Sequence, residues 1–444
     1  MIADPLVLTV VLLFVMFALL LSSIWIGASL MLTGIFGMLI FKSHLPASIS
    51  IFDKIGDLLS SSLYDSLNSW SLAALPMFIL MGELLYKSSI SSKLFNGLIP
   101  WLNKVPGRLL HINVAACSLF AAVSGSSAAT TATVGKITLA ELKKRGYSKS
   151  LAIGSLAGSG TLGFLIPPSL IMIIYGVLSN VSIGQLFIAG IFPGLLLASS
   201  YAIYIMIAAS IKKDAVPVED EKITWQDKVN SLKDLAPIIF LITLVLGSIY
   251  AGFATPTEAA ALGVLGSMLL GFYFKSLDFE VFKTAILNSI KTTVMISFII
   301  AGAGFLSQVV GFLGIATALS EYIASLHLSP YMLIFVVGIM YMILGMMLDG
   351  ISMVVMTLPI VLPIITLAGF DPLWFGIFLV FMVELSQITP PVGFSLFVIQ
   401  SISGEKIDYI LKATFPFFVI MILVVVLVTA FPEIAFYLPR RMIQ

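Results

Sequence analysis

Apolar residues in this sequence come in unbroken runs of about 17 to 25, the length that carries an α-helix across a bilayer, whereas a membrane barrel would alternate apolar and polar positions over roughly ten residues. The spans are therefore helical. Candidate segments are about 5–22, 24–41, 70–86, 185–211, 236–253, 257–274, 292–310 and 406–430. Of the 444 residues 59% are hydrophobic and only 10% charged, against about a quarter charged in a soluble domain, so the chain cannot cover itself with polar surface. The 23 basic and 22 acidic side chains nearly balance, which excludes a nucleic-acid binder built on bulk positive charge. Cys117 is the only cysteine, and His44, His111 and His327 lie far apart with no HExxH spacing. Disulfides, thiolate metal sites and a zinc catalyst are not expected. Asp4 precedes the first span without Lys or Arg, so no removable signal peptide is expected and the N-terminus is expected to face outward.

The chain repeats itself at about half its length. Leu165-Ile166-Pro167-Pro168 followed by Ile191-Phe192-Pro193 matches Ile388-Thr389-Pro390-Pro391 followed by Thr414-Phe415-Pro416, at an offset of 223 residues. Phe78-Ile79 with Gly82 pairs with Phe298-Ile299 with Gly302, and Gly125-Ser126-Ser127 pairs with Gly350-Ile351-Ser352, at offsets of 220 and 225. These anchors divide the chain into a first repeat, 1–211, a charged linker, 212–234, and a second repeat, 235–444. Residues 48–67 and 277–291 are amphipathic and read as interfacial arm helices. Each repeat is expected to hold a re-entrant hairpin, about 108–142 and 331–367, and a broken helix, about 150–180 and 373–402. Three helices, a hairpin that returns to its own side, a broken helix and a final helix make an odd number of crossings, so the two halves should run inverted through the membrane. Placing 87–108, 136–149, 212–234, 275–291 and 406–412 in the cytoplasm collects 19 of the 23 Lys and Arg there, leaving Lys42, Lys54, Arg440 and Arg441 outside with both termini.

Backbone that leaves the helix at membrane depth must line a cavity or coordinate something, because each unsatisfied peptide group costs several kcal/mol in hydrocarbon. Four such breaks occur in register: Ser124-Gly125-Ser126-Ser127 through Thr131, Ser159 through Gly163 running on to Pro167-Pro168-Ser169, Leu348 through Ser352, and Ser386 through Gly393. Freed carbonyls and Ser or Thr hydroxyls can replace the hydration shell of a small cation such as Na+, while N-terminal helix ends attract an anion. Small residues that let helices pack, and prolines that merely kink them, are the competing explanation. Glu83, Glu258, Asp349 and Glu384 lie in or near apolar segments. Asp349 falls at a hairpin tip, where an oxygen ligand is wanted; Glu258 follows Thr255-Pro256-Thr257 as a helix cap would. Glu83 and Glu384 are left open among proton carrier, cation neighbour and structural group. Lys136 is expected to snorkel to the interface.

These motifs resemble the large membrane subunit of the tripartite ATP-independent periplasmic transporters. The likeness rests on Ser124 through Thr130, Gly160 through Ser169, Phe253-Ala254-Thr255-Pro256-Thr257-Glu258-Ala259-Ala260, and Thr389-Pro390-Pro391-Val392-Gly393, and it covers essentially the whole chain. The resemblance implies an all-α elevator-type symporter of the bacterial inner membrane, coupled to Na+ and without an organic cofactor. Its partners would be a small four-helix membrane subunit, here a separate chain, and a soluble periplasmic protein that delivers a small organic anion: a carboxylate, sugar acid or sulfonate. Carried onto this sequence, the first cation site comprises Ser124, Gly125, Ser126 and Ser127 with Gly160, Gly163 and Pro167. The second comprises Asp349, Gly350 and Ser352 with Gln387 and Thr389, and the solute touches Ser127, Thr130, Ser352, Pro391 and Gly393.

A symporter or ion exchanger with no soluble partner, an intramembrane serine hydrolase using Ser126 or Ser127 with His111, and a pore are the competing functions. The second-site assignment predicts that Asp349→Ala loses sodium-dependent uptake in proteoliposomes; unchanged uptake would remove that site.

Overall fold

The structure, a computed structural model, describes residues 5–40, 50–88, 90–212, 215–217, 223–326, 328–346, 348–390 and 393–442. Pro391 of the expected solute site lies outside the described residues, as do Asp4, Lys42, His44, His327 and part of the linker. All secondary structure among the described residues is helical, and six helices are long and apolar enough to cross a membrane. Serine, threonine and aspartate N-caps set many of the helix starts, their side-chain oxygens accepting from otherwise orphaned N–H groups. Ser126, Ser169, Ser182, Thr255, Asp278, Ser329, Asp349 and Asp371 all do this.

The order of elements repeats. In the first half, Pro5–Leu21 and Ile26–Ile40 precede an arm helix, Ile51–Leu67, and Ala74–Lys87. A short helix, Ile90–Leu102, leads into the first hairpin, His111–Ser124 and Ser127–Lys144. The first broken helix follows as Lys149–Gly160, Leu162–Leu165 and Leu170–Ser179, and Ile183–Ile211 closes the half. The second half repeats this with Trp225–Ile242 continuing to Tyr250, Pro256–Tyr273, Phe279–Phe312 and Ile315–Ser325. Its hairpin is Pro330–Gly345 and Gly350–Leu367, its broken helix Pro372–Gln387 and Phe394–Ser403, and its last long helix Ile407–Ala430. A further helix, Glu433–Met442, packs back on Ile183–Ile211.

Contacts between the halves come in exchanged pairs, as a two-fold relation requires. Ile26–Ile40 lies along Phe279–Phe312 while Pro256–Tyr273 lies along Ala74–Lys87. The second arm of the first hairpin packs on Phe394–Ser403, and the second arm of the second hairpin packs on Leu170–Ser179. Each hairpin thus leans on the broken helix of the opposite half as well as its own.

Three details differ from the sequence-based expectations. Residues 277–291 do not form a separate arm: Phe279–Phe312 is one continuous helix, whereas Ile51–Leu67 meets the following helix at a 53° bend. Asn68 and Ser69 break the first copy, and no comparable interruption occurs in the second. The linker ends earlier than 234, because Thr224 and Asp227 form a reciprocal capping box that starts a helix at Trp225. The capping residues also reset the hairpin alignment. Ser126 and Asp349 hold equivalent N-cap positions at an offset of 223, the same as the proline anchors, in place of the 225 suggested by the glycines.

Helix association in lipid depends on close packing rather than on expelling water. Where Ile26–Ile40 meets Phe279–Phe312, a Cβ on Gly302 would stand 2.5 Å from the Gly27 carbonyl oxygen and 3.1 Å from its Cα. Gly302→Val should therefore cost about 1–3 kcal/mol through overpacking. Gly311→Ala, on the same helix with nothing within 4 Å of its Cβ, should be neutral or slightly stabilising. Thermal unfolding of the purified variants checks this; equal melting temperatures would contradict the close approach.

Candidate functional site

The first hairpin turns at Gly125, whose φ of +60° follows directly on the end of His111–Ser124. Its carbonyl accepts from the N–H of Leu170 at 3.2 Å, so the hairpin tip satisfies the first residue of the half-helix Leu170–Ser179. Ser126 caps the returning arm through Ala129 N–H at 3.4 Å, and Ser169 caps Leu170–Ser179 through Met172 N–H at 3.4 Å. Ser124 Oγ and Thr130 Oγ1 share a hydrogen bond of 2.8 Å inside the turn. The broken helix presses against this tip: a Cβ on Gly163 would lie 2.5 Å from Ser127 N and 2.7 Å from the carbonyl carbon of Ser126, and one on Gly160 would collide with Thr131 Oγ1. Gly163 thus lies against Ser126 and Ser127, and Gly160 against Thr131. Pro167 lies in the Ile166–Ser169 segment between the half-helices.

Glu384, from the second half, completes the junction. Ser127 Oγ donates to its Oε1 at 2.5 Å, and Phe164 N–H donates to the same oxygen at 2.7 Å. The residue is wholly buried, and Oε2 has no hydrogen-bond partner among the described residues. The sequence marks Glu384 as a membrane carboxylate just before a helix break; its partners, 257 and 220 residues away in sequence, carry no local signal. The other acids have separate duties. Glu83 accepts from Asn288 Nδ2 at 3.0 Å, and Glu258 forms a capping box with Thr255, as its motif indicated. Lys136 donates to the Tyr86 hydroxyl at 3.4 Å and sits over its ring.

At the second tip Asp349 is an N-cap. Its Oδ2 accepts from Ile351 N–H at 3.1 Å and Ser352 N–H at 3.2 Å, while the Ser352 hydroxyl donates to Oδ1. Gly350 packs on Val383 and Gln387. Thr389 Oγ1 donates to the Leu385 carbonyl at 2.6 Å. A Cβ on Gly393, whose φ is +34°, would lie 2.9 Å from the Thr389 carbonyl oxygen and 3.1 Å from that of Gln387, so two unwound carbonyls converge there. Among the described residues no hydrogen bond joins Ser127 or Thr130 to Ser352; Ser127 is tied to the second half through Glu384.

Chemically, both tips offer carbonyl and hydroxyl oxygens, which suit a hard cation. Thr131 Oγ1 and Ser159 Oγ are buried beside the first break without a hydrogen-bond partner among the described residues, leaving oxygen lone pairs uncommitted. The hydrolase reading fails on distance. His111 Nε2 bonds the Pro106 carbonyl at 2.7 Å, at the opposite end of the helix His111–Ser124 from the serines, about 20 Å away at 1.5 Å per residue.

Gly163→Ala would force the hairpin tip off the broken helix at a cost of about 1–3 kcal/mol, enough for a roughly tenfold loss of uptake. Gly56→Ala, in the arm helix with nothing within 4 Å of its Cβ, should leave uptake unchanged. Vesicle assays of both variants measure the contrast.

Residues 13–434 match the family described as tripartite ATP-independent periplasmic transporter, DctM component. The chain is 33% identical over 414 residues to the C4-dicarboxylate TRAP transporter large permease protein DctM of Pseudomonas aeruginosa, covering 93% of this chain and 94% of that one. It is 34% identical over 371 residues to the ectoine TRAP transporter large permease protein TeaC of Halomonas elongata, covering 83% and 86%. Among solved structures, the Alcanivorax borkumensis YdaH transporter shares the fold with a TM-score of 0.62 at 12% identity, over 89% of this chain and 90% of that one. With its multi-pass helical fold and a match along nearly its whole length, this chain belongs to the family of DctM components, the large permeases of tripartite ATP-independent periplasmic transporters.

Proposed function

We propose that this large permease imports a small organic anion by sodium symport, with Na+ as a co-substrate held at the two hairpin tips. The observation that carries this reading is the pair of unwound sites. Hydroxyls and backbone oxygens of Ser124, Gly125, Ser126, Ser127, Gly160, Gly163 and Pro167 make the first cation set, and Asp349, Gly350, Ser352, Gln387 and Thr389 make the second. Oxygen donors at helix breaks are the chemistry that replaces a sodium hydration shell. The solute would lie between the tips, against Ser127, Thr130, Ser352, Pro391 and Gly393, where the N-terminal ends of the returning arms favour negative charge. C4-dicarboxylates and ectoine, named for two relatives, share a carboxylate group, which supports an organic acid as the cargo.

The two hairpins and two broken helices would move as a transport module against the remaining helices, in an elevator cycle, with the halves inverted in the bacterial inner membrane and both termini periplasmic. A cavity of about 310 Å³ between Asp65, Ser66, Ser69 and Ser307 on the arm and long helix and Asn180 and Leu358 on the module marks a loosely filled seam consistent with such movement. Each positive charge imported beyond the solute's negative charge gains about 2.3 kcal/mol per 100 mV of membrane potential, so two cations with a monoanion would accumulate solute without ATP. The sequence has no GxxxxGK[ST] phosphate loop. A separate small membrane subunit and a periplasmic binding protein would complete the system.

Vesicles containing the permease and small subunit, given an inward sodium gradient and a panel of labelled organic acids, should take up one class only when its binding protein is added. Uptake indifferent to sodium would remove the coupling, and equal uptake without binding protein would assign a self-sufficient symporter.

A further inference from the structure

We propose that Glu384 is a positioning residue for the first cation set: from the second half of the chain it opens the first broken helix and aims its oxygens, without itself touching the ion. This rests on the sodium reading above. In a continuous helix the Gly160 carbonyl would accept from Phe164 N–H, four residues on. That N–H is instead 2.7 Å from Glu384 Oε1, so Gly160 has lost its donor to a carboxylate 220 residues away in sequence. The donor for Gly163 would be the nitrogen of Pro167, which carries no hydrogen. Two carbonyls three residues apart on the same stretch are thereby released, one by proline and one by Glu384.

The same oxygen sets the direction of the Gly163 carbonyl. A peptide unit is planar and trans, so with Phe164 N–H pointing at Glu384 the Gly163 carbonyl points away from it. Ser127 donates its only hydroxyl hydrogen to Oε1 at 2.5 Å, which leaves its lone pairs facing away as well. Ser127 Oγ and Gly163 O therefore have orientations governed by one atom, and Gly163 is pressed directly on the Ser127 backbone. This is how an outer-shell acceptor prepares ligands. What it requires is an acceptor with the reach of a glutamate, not a charge.

The test is sodium binding by the purified full-length protein in detergent, without solute. It is read as the sodium concentration at half-maximal rise of melting temperature against a choline control, and as equilibrium binding of radioactive Na+. Glu384→Gln keeps an oxygen at the same reach and should shift the sodium midpoint by less than about threefold. Glu384→Met, of similar size without an acceptor, should weaken sodium binding about 10- to 100-fold, the usual effect of losing an outer-shell partner. Glu384→Asp keeps the charge but falls short of both donors, and should resemble Glu384→Met; comparing it with Glu384→Gln decides the matter even where the methionine variant does not fold. A lower melting temperature with an unchanged sodium midpoint in the Met and Asp variants would show a merely structural role and overturn the proposal. A Gln variant as impaired as the Met variant, with Asp near wild type, would overturn it in favour of a charge. Wild type indifferent to sodium over choline would defeat the sodium reading itself, an outcome distinct from wild type responding and all variants responding alike.

Discussion

A peptide group at membrane depth has no water to turn to, and the hydrogen bonds at the helix breaks follow from that constraint. The tip of the first hairpin does not hang free. Gly125 gives its carbonyl to Leu170, and Ser126 and Ser169 cap the two helices that start beside it. The second tip relies on a stronger acceptor, Asp349, which takes two N–H groups and the Ser352 hydroxyl. Beyond these bonds, the carbonyls of Gly163 and Gln387 lack their helical donors because Pro167 and Pro391 carry no N–H, and Phe164 N–H, the helical donor for Gly160, goes to Glu384. These are the oxygens that the proposed sodium symport would use.

The repeat solves a second problem, that of holding broken helices in place. A helix cut in the middle has lost its own continuity, so its halves depend on neighbours. Exchange of partners between the copies supplies them: each hairpin's returning arm packs on the far half-helix of the opposite copy. The copies are not identical, however. The first arm bends by 53° into its following helix, and the second runs straight through as 34 residues. The seam beside Asp65, Asn180 and Ser307 lies between the bent arm, the long helix and the second hairpin, so the departure from symmetry coincides with a loosely filled seam between the proposed module and its frame.

Glu384 stands where these two themes meet. It belongs to the second broken helix, yet its hydrogen bonds are to the hairpin and broken helix of the first. A buried carboxyl group without partners would be costly; two donors on one oxygen offset part of that cost and tie the copies together at the depth where the backbone is open. Asp349 and Glu258 show the contrast, since both spend their oxygens on caps within their own turn of chain.

Much of this was legible from residue order. Unbroken apolar runs dictate membrane helices; the duplicated Pro-Pro and Phe-Pro anchors dictate two copies; Ser, Gly and Pro clusters inside apolar segments locate the breaks, and Thr255 with Glu258 announces a cap. These are local signals, carried by spacing within a few turns of helix or by direct self-similarity. The short helices Ile90–Leu102, Ile315–Ser325 and Glu433–Met442, the continuity of Phe279–Phe312, and the hairpin alignment set by Ser126 and Asp349 depended on caps and bends that composition blurs. The partners of Glu384 were beyond the sequence altogether. Nothing near Ser127 or Phe164 in the chain points to a residue more than two hundred positions away, because a hydrogen bond of that kind is created by how two copies pack and not by what either copy spells.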